Sequence, residues 1–304
     1  MLADDQMPDE VAALAAQPGL PVVRGDAAAA FDGVLQWTGD ALVLQWTGPT
    51  TAVPGEARRS TPLRADLLAL DIASGPGQSL RQPLAKAVGI RKGQPRPHVL
   101  DATGGLGEDA WLLAAWGCTV VICERHPVVA ALLADALRRA AAVKPVIARR
   151  IELITTDARQ HLARLNTREG EQGRGMRDER RGVNQTRQPT ADSRPPDSLP
   201  PDTRHPTPDT RYPTPHTPPP PDVIYLDPMF PADSDRSALE RKPMRILRRL
   251  VGDDGDARTL FDLARPLAAR RVVVKRPAHA PPLAPSPLTA HHAKAHRFDV
   301  YPPQ

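Results

Sequence analysis

Val99–Glu124, VLDATGGLGEDAWLLAAWGCTVVICE, reads as a strand, a glycine turn, a helix and a second strand. Val99 and Leu100 form a short apolar run ending in Asp101, and Gly104-Gly105-Leu106-Gly107 is a turn whose backbone can approach a ligand closely. Ala110 to Trp116 carry a helix closed by Gly117, with Glu108 and Asp109 at the positive end of its dipole. Thr119 to Cys123 make a β-branched run with Glu124 at its carboxyl end. Ligands of parallel α/β sheets bind outside the carboxyl ends of the strands, so Asp101, the three glycines and Glu124 are expected to converge on one crevice.

An acid in the position of Glu124 can accept both hydroxyls of a ribose, in NAD enzymes and in S-adenosylmethionine (SAM) enzymes alike. The turn therefore indicates an adenosyl cofactor and leaves its identity open. Ala110 stands where GxGxxG has its third glycine, which weakens the dinucleotide reading without removing it.

Downstream, Pro127 opens a helix with Val129, Leu132, Leu133 and Leu137 on one face, ended by Pro145. Ile151 to Thr155 form a third strand, Thr156-Asp157 stand at its end, and a helix follows from Ala158 to Leu165. This alternation predicts an α/β fold with a doubly wound, Rossmann-like sheet. The sheet resumes with a fully apolar strand, Val223 to Leu226, ending in Asp227-Pro228-Met229-Phe230-Pro231. Helical pieces are expected at 237–241, 243–251 and 257–269, then a strand from Arg271 to Val274 followed by Lys275-Arg276-Pro277, and a last strand from Arg297 to Tyr301.

Between these halves, 166–221 holds 13 prolines and 9 arginines among 56 residues, with Met176, Val183, Leu199 and Tyr212 as its sizeable apolar side chains. It cannot bury enough surface to offset ordering, so a disordered Pro/Arg-rich insert is expected, and its repeat DTRHPTP-DTRYPTP is low complexity. Upstream, residues 1–92 look like a small α+β unit. It has a short helix from Asp9 to Ala16, a hairpin of 33–37 and 41–46, an apolar segment 63–72, a loop at Ser74–Gly77 and a helix Pro83–Val88. Trp37 and Trp46 could stack bases, but paired aromatics on a small sheet are more often its core. The domain expectation is thus 1–92 and 93–304, the latter interrupted by the insert.

A net charge of +5 and a pI near 9.5 fit a polyanionic partner such as RNA, yet alone they decide little. Cys118 and Cys123 flank one strand and read as small apolar residues in a reducing compartment. No apolar run approaches ~18 residues, and the N-terminus is acidic where a signal peptide is basic, so a soluble cytoplasmic protein off the membrane is expected. His291, His292 and His296 have no Cys or carboxylate at ligand spacing, so no metal is expected. Lys275 and Arg276 either neutralise RNA phosphates at the substrate rim or form a solvated strand end.

Asp227-Pro228-Met229-Phe230 has the shape of motif IV in methyltransferases that modify exocyclic amino groups of bases. A conjugated amino group is a poor nucleophile. A carboxylate and an adjacent carbonyl that accept its hydrogens can hold its nitrogen in line with a methyl-sulfonium. Pro228 stiffens that carbonyl and Phe230 offers a face for the base, giving Asp227, Pro228 and Phe230 as candidate catalytic residues. Alone, Asp-Pro is an ordinary turn at a strand end.

Together, DATGGLGEDA with CERHPVVAALLADAL, VIYLDPMFP, and RRVVVKRP with HRFDVY resemble the ribosomal RNA small subunit methyltransferase J family, over 92–165 and 222–301 and more loosely over 33–90. The resemblance implies a class I methyltransferase sheet, SAM as cofactor, 16S rRNA or the small ribosomal subunit as partner, and N2-methylguanosine as product, by a chain expected to be a monomer. It places cofactor contacts on Glu108, Asp109, Glu124, Arg125, Asp157, Ala158 and Asp227. An NAD-dependent oxidoreductase would leave Asp227-Pro228-Met229-Phe230 unexplained. A non-catalytic RNA-binding protein on the same scaffold is the other competitor.

Overall fold

Residues 31–46, 61–167, 220–229 and 242–304 are described by the structure, a computed structural model. The expected helices at 9–16 and 237–241, residue Phe230 and positions 168–219 of the Pro/Arg-rich segment lie outside them. The elements that build the site belong to one unit, within residues 1–165 and 220–304.

The chain first lays down an antiparallel sheet, β1 (Gly33–Trp37), β2 (Leu42–Trp46) and β3 (Thr61–Leu63), in the order β1-β2-β3. The larger sheet holds β4 (His98–Asp101), β5 (Thr119–Glu124), β6 (Ile151–Thr155), β7 (Val223–Leu226), β8 (Arg271–Pro277), β9 (Thr289–His292) and β10 (His296–Tyr301). Its order is β6-β5-β4-β7-β8-β10-β9, parallel from β6 to β8, with β10 antiparallel to both β8 and β9. The chain runs outward from β4 through β5 to β6, then returns to the other side of β4 with β7. The order reverses beside β4, so the carboxyl end of β4 is the topological switch point where ligands of such sheets bind.

Side-chain alternation explains why the central strands are apolar throughout. Val99, Val120, Ile122, Val223, Tyr225 and Val273 join the hydrophobic cluster on one face, and Leu100, Cys123, Ile224, Leu226, Val272 and Val274 join that on the other. Burial pushes the Cys118 and Cys123 thiols up to about 12, so both behave as small apolar residues. The first cluster also takes in Leu35, Trp37, Leu42, Leu44 and Leu63 of the small sheet. Trp37 is buried core with the Arg138 guanidinium 5.4 Å from its ring centroid, and Trp46 packs at the cluster's margin.

Several boundaries differ from the sequence expectation. Ser74–Gly77 is no open loop: Gly75–Gln78 form a helical turn because the Ser74 hydroxyl accepts the Gly77 amide. The helix after the glycine turn starts two residues earlier, at Glu108. Residues 257–269 hold a helix only over Ala257–Ala264, continued by a 3-10 turn at Arg265–Leu267. β8 runs past Val274 to Pro277 because β10 pairs with it as far as His296 opposite Pro277. Lys275 and Arg276 therefore lie within a strand. β9, carrying His291 and His292, was not anticipated, since its hairpin turn lacks Gly, Pro and Asn.

One buried acid joins the small sheet to the rest. Asp135, fully buried on the helix Pro127–Val143, accepts the Leu42 amide at 3.0 Å and pairs with Arg138 at 2.8 Å and Arg139 at 2.9 Å. Asp135→Ala leaves that amide without its acceptor and both guanidiniums without their shared carboxylate. Arg138 keeps solvent access, so the expected loss is about 2 kcal/mol, below that of a fully buried pair. Urea unfolding checks this by a lowered midpoint at unchanged slope.

Candidate active site

The glycine turn sits on the end of β5. Gly104 donates to the Cys123 carbonyl at 2.9 Å, and a Cβ there would stand 2.4 Å from Ile122 Cγ2. Gly107, with φ +79°, closes the turn onto the Gly104 carbonyl and precedes the helix Glu108–Ala115. There a Cβ would meet Leu133 Cδ1 at 2.4 Å, so glycine is demanded both by space and by the left-handed backbone. Glu124, nearly fully buried, accepts the Gly105 amide on Oε2 and the His126 amide on Oε1, each at 2.7 Å. A carboxylate has about four lone-pair directions, so two remain for hydroxyl donors. Burial raises the Glu124 pKa, and the two amides oppose that shift.

Asp101, buried at the end of β4, accepts the Thr103 amide at 3.1 Å, and burial raises its pKa to about 7. The Thr103 hydroxyl reaches across to accept the Asp227 amide at 2.6 Å, fixing the start of the Asp227-Pro228-Met229 segment against the glycine turn. The Asp227 carboxylate lies 2.9 Å from Lys275 Nζ, which is also 2.8 Å from Asp109 Oδ2. Asp109 Oδ2 accepts the Tyr225 hydroxyl at 2.5 Å as well. Lys275 is thus no solvated strand end but the centre of this cluster. Arg276 is buried and donates from Nε and Nη2 to the Pro281 carbonyl at 3.0 and 2.7 Å, so it is no solvated strand end.

A second acid, unnoticed in the sequence, fixes the rest of the segment. Asp254 Oδ2 accepts the Met229 amide at 2.6 Å, and the Asp254 amide donates to the Met229 carbonyl at 2.8 Å. In a trans peptide the N–H and C=O point opposite ways, so holding the Met229 amide on Asp254 turns the Pro228 carbonyl away from it. Asp254 also pairs with Arg125, which pairs with Asp256 at 2.9 Å. Asp256 is joined by Arg159 at 3.0 Å, and Arg159 pairs with Asp157. Asp157 further accepts the Arg159 amide at 2.9 Å at the start of helix 158–167, just before the buried Ala158. Glu108 is exposed at the start of its own helix. These groups line one cavity of about 830 Å³, closed on another side by Met244, Leu247 and Val251 of the helix Lys242–Val251.

A family model described as a SAM-dependent methyltransferase matches residues 40–171 and 209–303. The chain is 38% identical over 302 residues to the Ribosomal RNA small subunit methyltransferase J of Thioalkalivibrio sulfidiphilus, covering 98% of this chain and 95% of that one. The chain belongs to the ribosomal RNA small subunit methyltransferase J family. The same named protein of Dechloromonas aromatica is 39% identical over 282 residues, 89% of this chain and 88% of that one. A solved SAM-dependent methyltransferase from Neisseria gonorrhoeae is 27% identical, with a TM-score of 0.59 and coverage of 99% and 95%. Membership makes this chain a SAM-dependent methyltransferase, and neither the oxidoreductase nor the non-catalytic alternative finds support.

The family's cofactor suits the cavity. Glu124 has acceptor capacity for ribose hydroxyls, and the cavity it lines also holds Asp101, Asp109, Asp227 and Asp254, with Lys275 bridging Asp109 and Asp227 and Arg125 pairing with Asp254. Among the described residues no group of three or more His, Cys, Asp or Glu is arranged to hold a metal ion, and no helix is long and apolar enough to cross a membrane.

Asp254 invites its own test. Asp254→Ala removes the acceptor that orients the Pro228–Met229 peptide, a hydrogen bond to a charged group, so the single-turnover rate should fall about tenfold or more. Asp254→Asn keeps an oxygen for the Met229 amide and should retain most of that rate. Rapid-quench kinetics of the two variants at saturating SAM separate peptide orientation from the loss of charge.

Proposed function

We propose that this chain transfers a methyl group from SAM to the exocyclic N2 of a guanine in 16S rRNA, working as a monomer in the cytoplasm. Residues 93–304 would form the catalytic domain and 1–92 an appended unit. The relatives' names supply the small-subunit rRNA, and the basic net charge accords with it. The observation that carries the amino-group reading is the Asp227-Pro228 pair at the end of β7. Its carboxylate and turned-out carbonyl stand at the sheet edge shared with the glycine turn and Glu124.

Bound SAM supplies an electrophilic methyl group on a sulfonium. On this reading Asp101, Gly104, Gly105, Gly107, Glu108, Asp109, Glu124, Arg125, Asp157, Ala158 and Asp227 would hold the cofactor. Asp227 and the Pro228 carbonyl accept the two hydrogens of the guanine amino group and aim its nitrogen at the methyl. Phe230 would offer a face for the base. One amino proton would leave as the N–C bond forms and the S–C bond breaks, and the Asp227 carboxylate would take it.

Mass spectrometry of nucleosides from small-subunit rRNA of a strain lacking the gene tests this. One N2-methylguanosine per 16S rRNA should disappear and return with the reintroduced gene. An unchanged content would contradict the proposal.

A further inference from the structure

Two parallel strands bring together the charged residues that follow their apolar runs. β7 and β8 are in register with Leu226 opposite Val274, so Asp227 and Lys275, each one residue further, stand side by side at the carboxyl edge. The ammonium meets two carboxylates, Asp227 at 2.9 Å and Asp109 at 2.8 Å, and Asp109 is itself held by the Tyr225 hydroxyl at 2.5 Å. Lys275 is half-buried, and β10 covers it with His296 and Phe298, whose rings contact edge to face at 5.1 Å. A lysine that served only to draw in RNA would have no reason to be enclosed between two acids.

We propose that Lys275 is a positioning residue of the methyl-transfer site, its ammonium bridging Asp109 and Asp227 so that the Asp227 carboxylate is fixed toward the substrate amino group. The inference rests on the reading of Asp227 given above. Charged and titratable neighbours come from every element around the carboxylate: Asp101 from β4, Asp109 from the helix Glu108–Ala115, Tyr225 from β7, Asp254 before the helix Ala257–Ala264, and His296 from β10 beside Lys275. Burial raises the Asp227 pKa, and Asp109 and Asp254 add to the rise. Lys275 is the cation that opposes it. Burial works against the Lys275 ammonium too, but its two carboxylates outweigh that and raise its pKa.

Without the cation, Asp227 should take up a proton at higher pH and lose its acceptor there. The test is the pH profile of the single-turnover rate, at saturating SAM with small-subunit rRNA, for wild type, Lys275→Met, Lys275→Gln and Lys275→Arg. The expected result is an acid limb shifted upward by about one unit or more in the Met and Gln variants, so that their deficit at pH 6 exceeds that at pH 9 by about tenfold. Lys275→Arg should retain the wild-type limb. Gln keeps a hydrogen-bond donor without charge, so it carries the test if Met impairs folding. A deficit equal at every pH overturns the inference. So does an unshifted limb with weaker RNA affinity and a shallower salt dependence, the signature of a phosphate contact. Asp227→Ala is measured beside them: full activity there defeats the Asp227 reading itself, whereas a defective Asp227→Ala with a pH-uniform Lys275 deficit defeats only the role of Lys275.

Discussion

Asp227→Ala should lower the single-turnover methylation rate at least ~100-fold at saturating SAM, the scale of losing one preorganised electrostatic contact. The substitution is clean because the Asp227 backbone does not depend on its own carboxylate. Its amide is held by the Thr103 hydroxyl at 2.6 Å, and the Met229 amide two residues on is held by Asp254 at 2.6 Å. Lys275 keeps Asp109 as a partner in the variant. RNA affinity should change little, since backbone phosphates supply most of it. Rapid quench separates the two quantities, and a near-normal rate would remove Asp227 from the mechanism.

For Glu124→Ala the expected result is a tenfold to hundredfold loss of affinity for S-adenosylhomocysteine, matching ~1.5–3 kcal/mol for hydrogen bonds to a charged acceptor. Two contributions enter. The carboxylate is the proposed acceptor of the ribose hydroxyls, and it also carries the Gly105 amide, so its removal loosens the glycine turn. Glu124→Gln distinguishes them, because the amide oxygen can still accept from one backbone N–H while ribose binding is weakened. Burial raises the Glu124 pKa, so affinity should also weaken as the solution is acidified through that raised value. Calorimetry measures all three, and unchanged affinity in the alanine variant would make Glu124 a structural acid.

Much of this architecture was legible because it is written locally. The glycine turn, the acids at strand ends and the period of the helix Pro127–Val143 each depend on neighbours within one βαβ unit, and β4 to β6 fall where those signals place them. The paired β1–β2 hairpin was legible for the same reason. The ion pairs of Lys275 were not legible because they depend on a register between strands whose paired residues lie 48 apart in sequence. A signal was nevertheless present: VIYL and VVV are each followed directly by a charged residue, and the parallel register that sets Leu226 opposite Val274 brings Asp227 and Lys275 side by side. Asp254 carried no such mark. It lies in a Gly-Asp-Asp-Gly turn that reads as solvated, and its task comes from the approach of the Met229 peptide and of Arg125. The solvated strand end considered for Arg276 was a local reading, and the Pro281 carbonyl to which it donates was not visible in the sequence.

The most direct test of the central claim is transfer of a labelled methyl group from SAM to small-subunit rRNA by the purified full-length chain, followed by digestion and identification of the labelled nucleoside. The account predicts label in N2-methylguanosine alone, and its loss in Asp227→Ala. Label in any other nucleoside, or in N2-methylguanosine at an undiminished rate with Asp227→Ala, would contradict it.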